Sequence, residues 1–319
     1  MNMDKIQIGI DLATSITIII SLIALVMESR RRVRQERQKG IDQHSRTVAA
    51  SQINKALERL SKDFIFKIVD KAQRYESRVD VFFEPDGQQL LVQRIEQDAG
   101  FVEQAIEDLN GIRQEVGDFF EHLHDLKYTA FPVLDALPGG SGFIDTLKKD
   151  IADIATQYNQ LGGGHISLLR ELKALVDHCA AHPPGGDDDQ QQRLMQLAHS
   201  ILIDEDYLDW VQSFVPDGQE PAFEAAVREK RLLDENELFL AVLSNLVGHA
   251  VENPGRLYAQ VLAMASRQVY QARYECKDVL CNLSAIAHML LVKDGNERLD
   301  AVIERYKSED YLALEQEVR

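Results

Sequence analysis

FVEQAIEDLNGIRQEVGDFFEHLHDL, residues 101 to 126, decides the fold class. Val102, Ala105, Leu109, Ile112, Val116, Phe119, Leu123 and Leu126 recur at alternating spacings of three and four, and Ile106 and Phe120 widen the stripe. Regular heptads of this kind predict a long helix packed nearly antiparallel against others, as a bundle or coiled coil, within one subunit or between subunits.

Upstream, Ile53, Leu57, Leu60, Phe64, Ile68, Ala72, Tyr75, Val79 and Phe82 keep the helical period and predict one long amphipathic helix after Gly40. Its end has two readings. Val79, Val81 and Phe83 alternate before Pro85-Asp86-Gly87, so a short hairpin returning through Leu90 and Val92 competes with a helix stop.

Downstream, Pro138-Gly139-Gly140-Ser141-Gly142 interrupts the pattern, and Ile144, Leu147, Ile151, Ile154, Tyr158 and Leu161 mark a helix expected to end at Gly162-Gly163-Gly164. That glycine run is no phosphate cradle: neither a preceding strand nor a following Lys-Ser or Lys-Thr is present. Ile166, Leu169, Leu172, Leu175 and Val176 form the next helix. Pro183-Pro184-Gly185-Gly186 closes it, and Asp187, Asp188 and Asp189 stand ready to cap another. The spaced ligands and the glycine of a calcium loop are missing from this acidic run. After the linker at 183–189, helices are expected around Leu194 to Ile203, Tyr207 to Val215, Pro221 to Leu233, Glu235 to Val251, Pro254 to Val292 with a possible break, and Glu297 to Glu317. Pro216-Asp217-Gly218-Gln219 reads as a turn between them.

The N-terminus differs in kind. Leu12 to Met27 holds no charge, and Ile6 to Ile10 extends the apolar run with only Asp11 interrupting, giving about 33 Å of helix, enough to span a bilayer. Arg30, Arg31, Arg32, Arg34, Arg37 and Lys39 follow, whereas Lys5 alone precedes, which orients the C-terminal body to the cytoplasm and sets the basic residues against anionic lipid head groups. A cleavable signal peptide would carry its positive charge ahead of the apolar run. Gly9, Ala13, Thr17 and Ser21 recur every four residues, a ridge of small side chains suited to close packing of one membrane helix on another; Thr and Ser bonding to their own preceding turn is the plainer reading. Asp11 lies on another side of the helix, near its outer end, where it reaches the head-group region.

Charge and cysteines bound the function. The net charge is -17, yet residues 1 to 39 hold 7 Lys and Arg against 4 Asp and Glu, leaving 28 against 48, or -20, on the rest. An acidic body repels phosphate backbones, so no nucleic-acid partner is expected. Cys179, Cys276 and Cys281 are too few and too uneven for a secreted disulfide framework and fit a reducing compartment.

Few residues carry a chemical signature. His178 and His182 share one helical face beside Cys179, a conceivable metal pair, but they lack the embedded glutamate of a metalloprotease and a second ligand pair; a helix C-terminus favours histidine in any case. Arg193 and His199 stand at a spacing similar to the arginine-to-histidine motif of the helical HEPN ribonucleases, with Leu194 where that motif has a polar residue. Seven residues transfer no role. No serine elbow, dinucleotide fingerprint or kinase set occurs, and no cofactor is implied.

The sequence therefore predicts an all-α protein. A short extracytoplasmic N-terminus (1–5), a transmembrane helix (6–27) and a basic juxtamembrane segment (28–40) lead to a long-helix bundle region (41–182), the linker (183–189) and a C-terminal helical domain (190–319). The expected role is a single-pass, homo-oligomeric interaction protein of a bacterial inner membrane, with lipid and a protein partner. A membrane-permeabilising effector of stress or phage defence assembled through the anchor is the second expectation, and an enzyme in the C-terminal domain the third.

Overall fold

The structure is a computed structural model that describes residues 3–79, 87–182, 188–203, 207–229, 236–292 and 298–317, with backbone alone for 3–26, 309–317 and a few helix ends. Every regular element among the described residues is helical, and no strand occurs there. The fold is all-α, as the heptad stretch requires.

The chain begins with α1 (Met3–Asp63), passes through a π-helical segment, π1 (Phe64–Val69), and continues as α2 (Asp70–Val79) with no break in the helical backbone. Ile53, Leu60, Phe64, Ile68, Ala72, Tyr75 and Val79 are buried along one side, as their spacing predicts. The helix does not start after Gly40 but runs through it; Gly40 is exposed, and open space surrounds its Cα. Next come α3 (Gly87–Gln97) and α4 (Phe101–His124), the heptad helix, which buries Val102, Ala105, Leu109, Ile112, Val116, Phe119 and Leu123. Leu90 and Val92 belong to α3, so the return strand of a hairpin is not formed. Leu91 is buried in the core and Leu90 is half exposed, and a helix wedged beside α4 satisfies its backbone without a partner strand. Phe82, Phe83, Pro85 and Asp86 lie outside the described residues.

Two short helices, α5 (Leu126–Thr129) and α6 (Phe131–Asp135), lead to the glycine turn. There Gly139 takes a left-handed φ of 79°. Then α7 (Gly140–Asn159), π2 (Gln160–Ile166) and α8 (Ser167–Ala181) run without interruption. The expected stop at Gly162-Gly163-Gly164 is thus absent. Leu161, Ile166, Leu168 and Leu169 bury their side chains on both sides of the glycines, and that packing outweighs glycine's cost of about 1 kcal/mol per helical position.

The remaining helices are α9 (Asp188–Ile203), α10 (Leu208–Val211), α11 (Glu220–Arg228), α12 (Asn236–Glu252), α13 (Pro254–Leu291) and α14 (Leu299–Glu317). Pro216 and Gln219 close a turn with Gly218 at φ 85°. Pro254 opens α13 at a position where its missing N–H is not needed. With 38 residues and no break, α13 is the axis of the molecule. It packs against α1, α2, α3, α4, α7, α8, α12 and α14. Of the linker expected at 183–189, residues 183–187 lie outside the described residues and Asp188 and Asp189 open α9, and buried side chains before and after it, from Ala49 to Leu290, belong to one continuous apolar cluster. Among the described residues no helix is long and apolar enough to cross a membrane; the side chains of 6–26, where the anchor is expected, are outside that set.

Candidate functional site

Along α1 the surroundings change abruptly. Residues 27–41 are exposed on every side, whereas Ala49 and Ala50 are fully covered by the body. The exposed stretch is about 22 Å of bare helix and contains Arg30, Arg31, Arg32, Arg34, Arg37 and Lys39. Glu28 pairs with Arg32 at 2.8 Å, one turn away. Bare helices of this length are marginal in water, so the stretch relies on its continuity with the buried part of α1. Gly9, Asp11, Ala13, Thr17 and Ser21 have helical backbone, and their side chains lie outside the described residues.

Where the bare segment enters the body, Lys39, Asp42, Gln43, Arg46 and Thr47 of α1 face Leu290, Leu291 and Val292 at the end of α13 across a hollow of about 410 Å³. Arg46 also borders a second hollow of about 260 Å³ against Leu137, Pro138, Phe143 and Leu299. Leu291, 55% exposed, gives this region an apolar rim beside the cations.

The π2 turn gathers polar groups from α4, α7, α8 and α13 and from Tyr207, just before α10. Gly162 has no Cβ, and the Arg113 guanidinium of α4 fills its place: a Cβ there would stand 2.2 Å from Arg113 Nε. The guanidinium lies 4.4 Å from the centre of the Tyr158 ring, and its buried Nε has no protein partner. Tyr207 donates its hydroxyl to the Gly163 carbonyl at 2.8 Å, and Ser167 donates to the Gly162 carbonyl at 3.3 Å. Both hydroxyls thus bond directly to the backbone of the π turn. Gln268 of α13 donates to Gln157 and, at 2.8 Å, to Gln160. Burial pushes the neighbouring His165 imidazole down to about 4, so it is neutral at physiological pH.

Farther along α7, Asp150 is 5% exposed, and its Oδ1 accepts from Asn282 Nδ2 of α13 at 2.8 Å. Asp150 Oδ2 and Asn282 Oδ1 are both buried without a partner. Sequence reasoning missed this pair, yet a signal existed: Asp150 falls three residues after Leu147, on the same apolar face as Ile144, Ile151 and Ile154.

The expected histidine pair is close, its rings 4.8 Å apart, but His178 Nε2 is engaged with the Gln190 carbonyl at 3.0 Å. Among the described residues no three of His, Cys, Asp and Glu converge as a metal site. All three cysteines are free and buried, and burial raises the Cys179 thiol. Arg193 is exposed on α9, while His199 meets the Phe239 ring edge-on at 5.6 Å. No known protein family, characterised protein or solved structure matches the chain.

Proposed function

We propose that this chain is a membrane-tethered, self-associating interaction protein whose helical body is presented to a cytoplasmic protein partner. One observation carries the reading: α1 passes unbroken from the apolar segment, through a basic helix exposed on all sides, into the core of the body. A continuous helix transmits position and rotation where a flexible linker would not, so the body would sit at a defined height from the bilayer. Six cations within ten residues supply the contact with anionic head groups, and the ridge of Gly9, Ala13, Thr17 and Ser21 supplies the association between anchors.

The test is alkaline carbonate extraction of native vesicles, with a reporter fused to the C-terminus and the oligomeric state measured after gentle detergent solubilisation. Retention in the pellet, a reporter active on the cytoplasmic side, and an oligomer reduced by Ala13→Leu with Thr17→Leu are expected. Release of the intact chain by carbonate overturns the anchor, and a detergent-extracted monomer overturns the association.

A further inference from the structure

The Asp150 and Asn282 side chains present a matched deficit. A carboxyl and an amide can join through two hydrogen bonds, and here one is in place, Asn282 Nδ2 donating to Asp150 Oδ1 at 2.8 Å. The two remaining oxygens, Asp150 Oδ2 and Asn282 Oδ1, are both acceptors, both buried, and both without a donor. Reversing the amide does not help, since it would bring one donor to a carboxylate and still leave an oxygen bare. A single proton on Asp150 Oδ2 turns that oxygen into a donor and supplies what Asn282 Oδ1 lacks.

We propose that Asp150 carries a proton in the folded protein and that this proton latches α7 to α13, so that its loss to solvent loosens the seam between the two helices. Burial pushes the Asp150 carboxyl up to about 7, with the Asn282 hydrogen bond pulling the other way. The charges that bear on it are Asp153 and Lys149 of α7 itself and Lys307 of α14. Lys307 is in turn held by Asp278 of α13 at 2.6 Å. The latch therefore sits where α7, α13 and α14 meet, and it works within the physiological range of pH. The carboxylate left by deprotonation has one donor for two oxygens in an apolar seam, which is the costly state of the pair.

The experiment uses the full chain in detergent micelles. Infrared difference spectra between the native chain and Asp150→Asn report a protonated carboxyl, and hydrogen exchange reports the seam through the amides of 144–154 and 279–286. In the native chain the carboxylic acid band is expected at pH 6 and is lost by pH 8. Over the same interval, exchange in the seam should accelerate about tenfold beyond its ordinary base catalysis, whereas Asp150→Asn removes both changes. Asn282→Leu deletes the hydrogen bond that favours the charged form and shifts the band's midpoint upward. Loss of the band below pH 5, or the same acceleration in Asp150→Asn, overturns the latch. An Asp150→Asn chain unable to fold also overturns it, because an amide in that place supplies the donor that the proton supplies in the native pair.

Discussion

Gly162→Ala separates two effects that act in opposite directions. On helix propensity alone, replacing a helical glycine by alanine stabilises by about 1 kcal/mol. At this position the added Cβ would stand 2.2 Å from Arg113 Nε and 2.5 Å from its Cζ, a distance no relaxed contact tolerates. The rigid part of the guanidinium, and not a free end, must move, and it then leaves the Tyr158 ring that it covers at 4.4 Å. That loss is worth about 1 to 2 kcal/mol for a partly desolvated cation over an aromatic face, and overpacking adds about 1 to 3. The substitution is therefore expected to destabilise by about 2 kcal/mol after the propensity gain. In an Arg113→Ala background the obstruction is gone and the same change should stabilise by about 1 kcal/mol. Urea unfolding of the four chains, followed by the fluorescence of Trp210, closes the cycle. A coupling near zero, with Gly162→Ala equally stabilising in both backgrounds, would refute the reasoning.

The pH dependence of stability should be shallow in the native chain because two groups oppose one another. Asp150, raised from 3.8 to about 7 on folding, keeps a proton that the unfolded chain has lost, so its contribution is full in acid and declines between about pH 4 and 7. His165, lowered from 6.5 to about 4, does the reverse: folding excludes a proton, so its contribution is lost as the pH falls from 6.5 towards 4. At about 1.4 kcal/mol per unit, the shifts represent about 3 to 5 kcal/mol each; Asp150→Asn should unmask a stability that rises with pH, and His165→Asn one that falls. Urea midpoints from pH 4.5 to 7.5 decide the matter, and parallel curves for all three chains would count against both assignments. Gly140→Ala places a Cβ 1.8 Å from the Leu134 carbonyl oxygen, a backbone atom, and is expected to lower stability by about 1 to 3 kcal/mol in thermal unfolding. Replacing Arg30, Arg31, Arg32, Arg34, Arg37 and Lys39 by Gln should abolish salt-sensitive binding of vesicles with anionic lipid by a peptide of residues 27–45, while vesicles of neutral lipid show no difference; equal binding by both peptides removes the head-group contact.

The helical class and the buried faces of α1, α2 and α4 were legible in residue spacing, because a helix facing a core writes its period into the chain, whereas where the long helices begin and end was not. In the first 40 residues the apolar run and the cluster of arginines are sequence features alone, and the anchor they suggest stays a proposal. Other features depend on contacts between segments distant in the chain. Gly162-Gly163-Gly164 reads as a stop, since propensity is local, but Arg113 from α4 and Tyr207 from beyond the linker make the turn a site of packing and keep the helix whole. Leu90 and Val92 alternate like a strand, and only the room beside α4 and α13 makes them helical. Asp150 is one acid among many until α13 brings Asn282 to it across 132 residues. Period and composition report what each residue prefers next to its neighbours in the chain; which polar groups lose water together, and so which of them titrate or must be paired, is set by the meeting of helices that only the tertiary structure arranges.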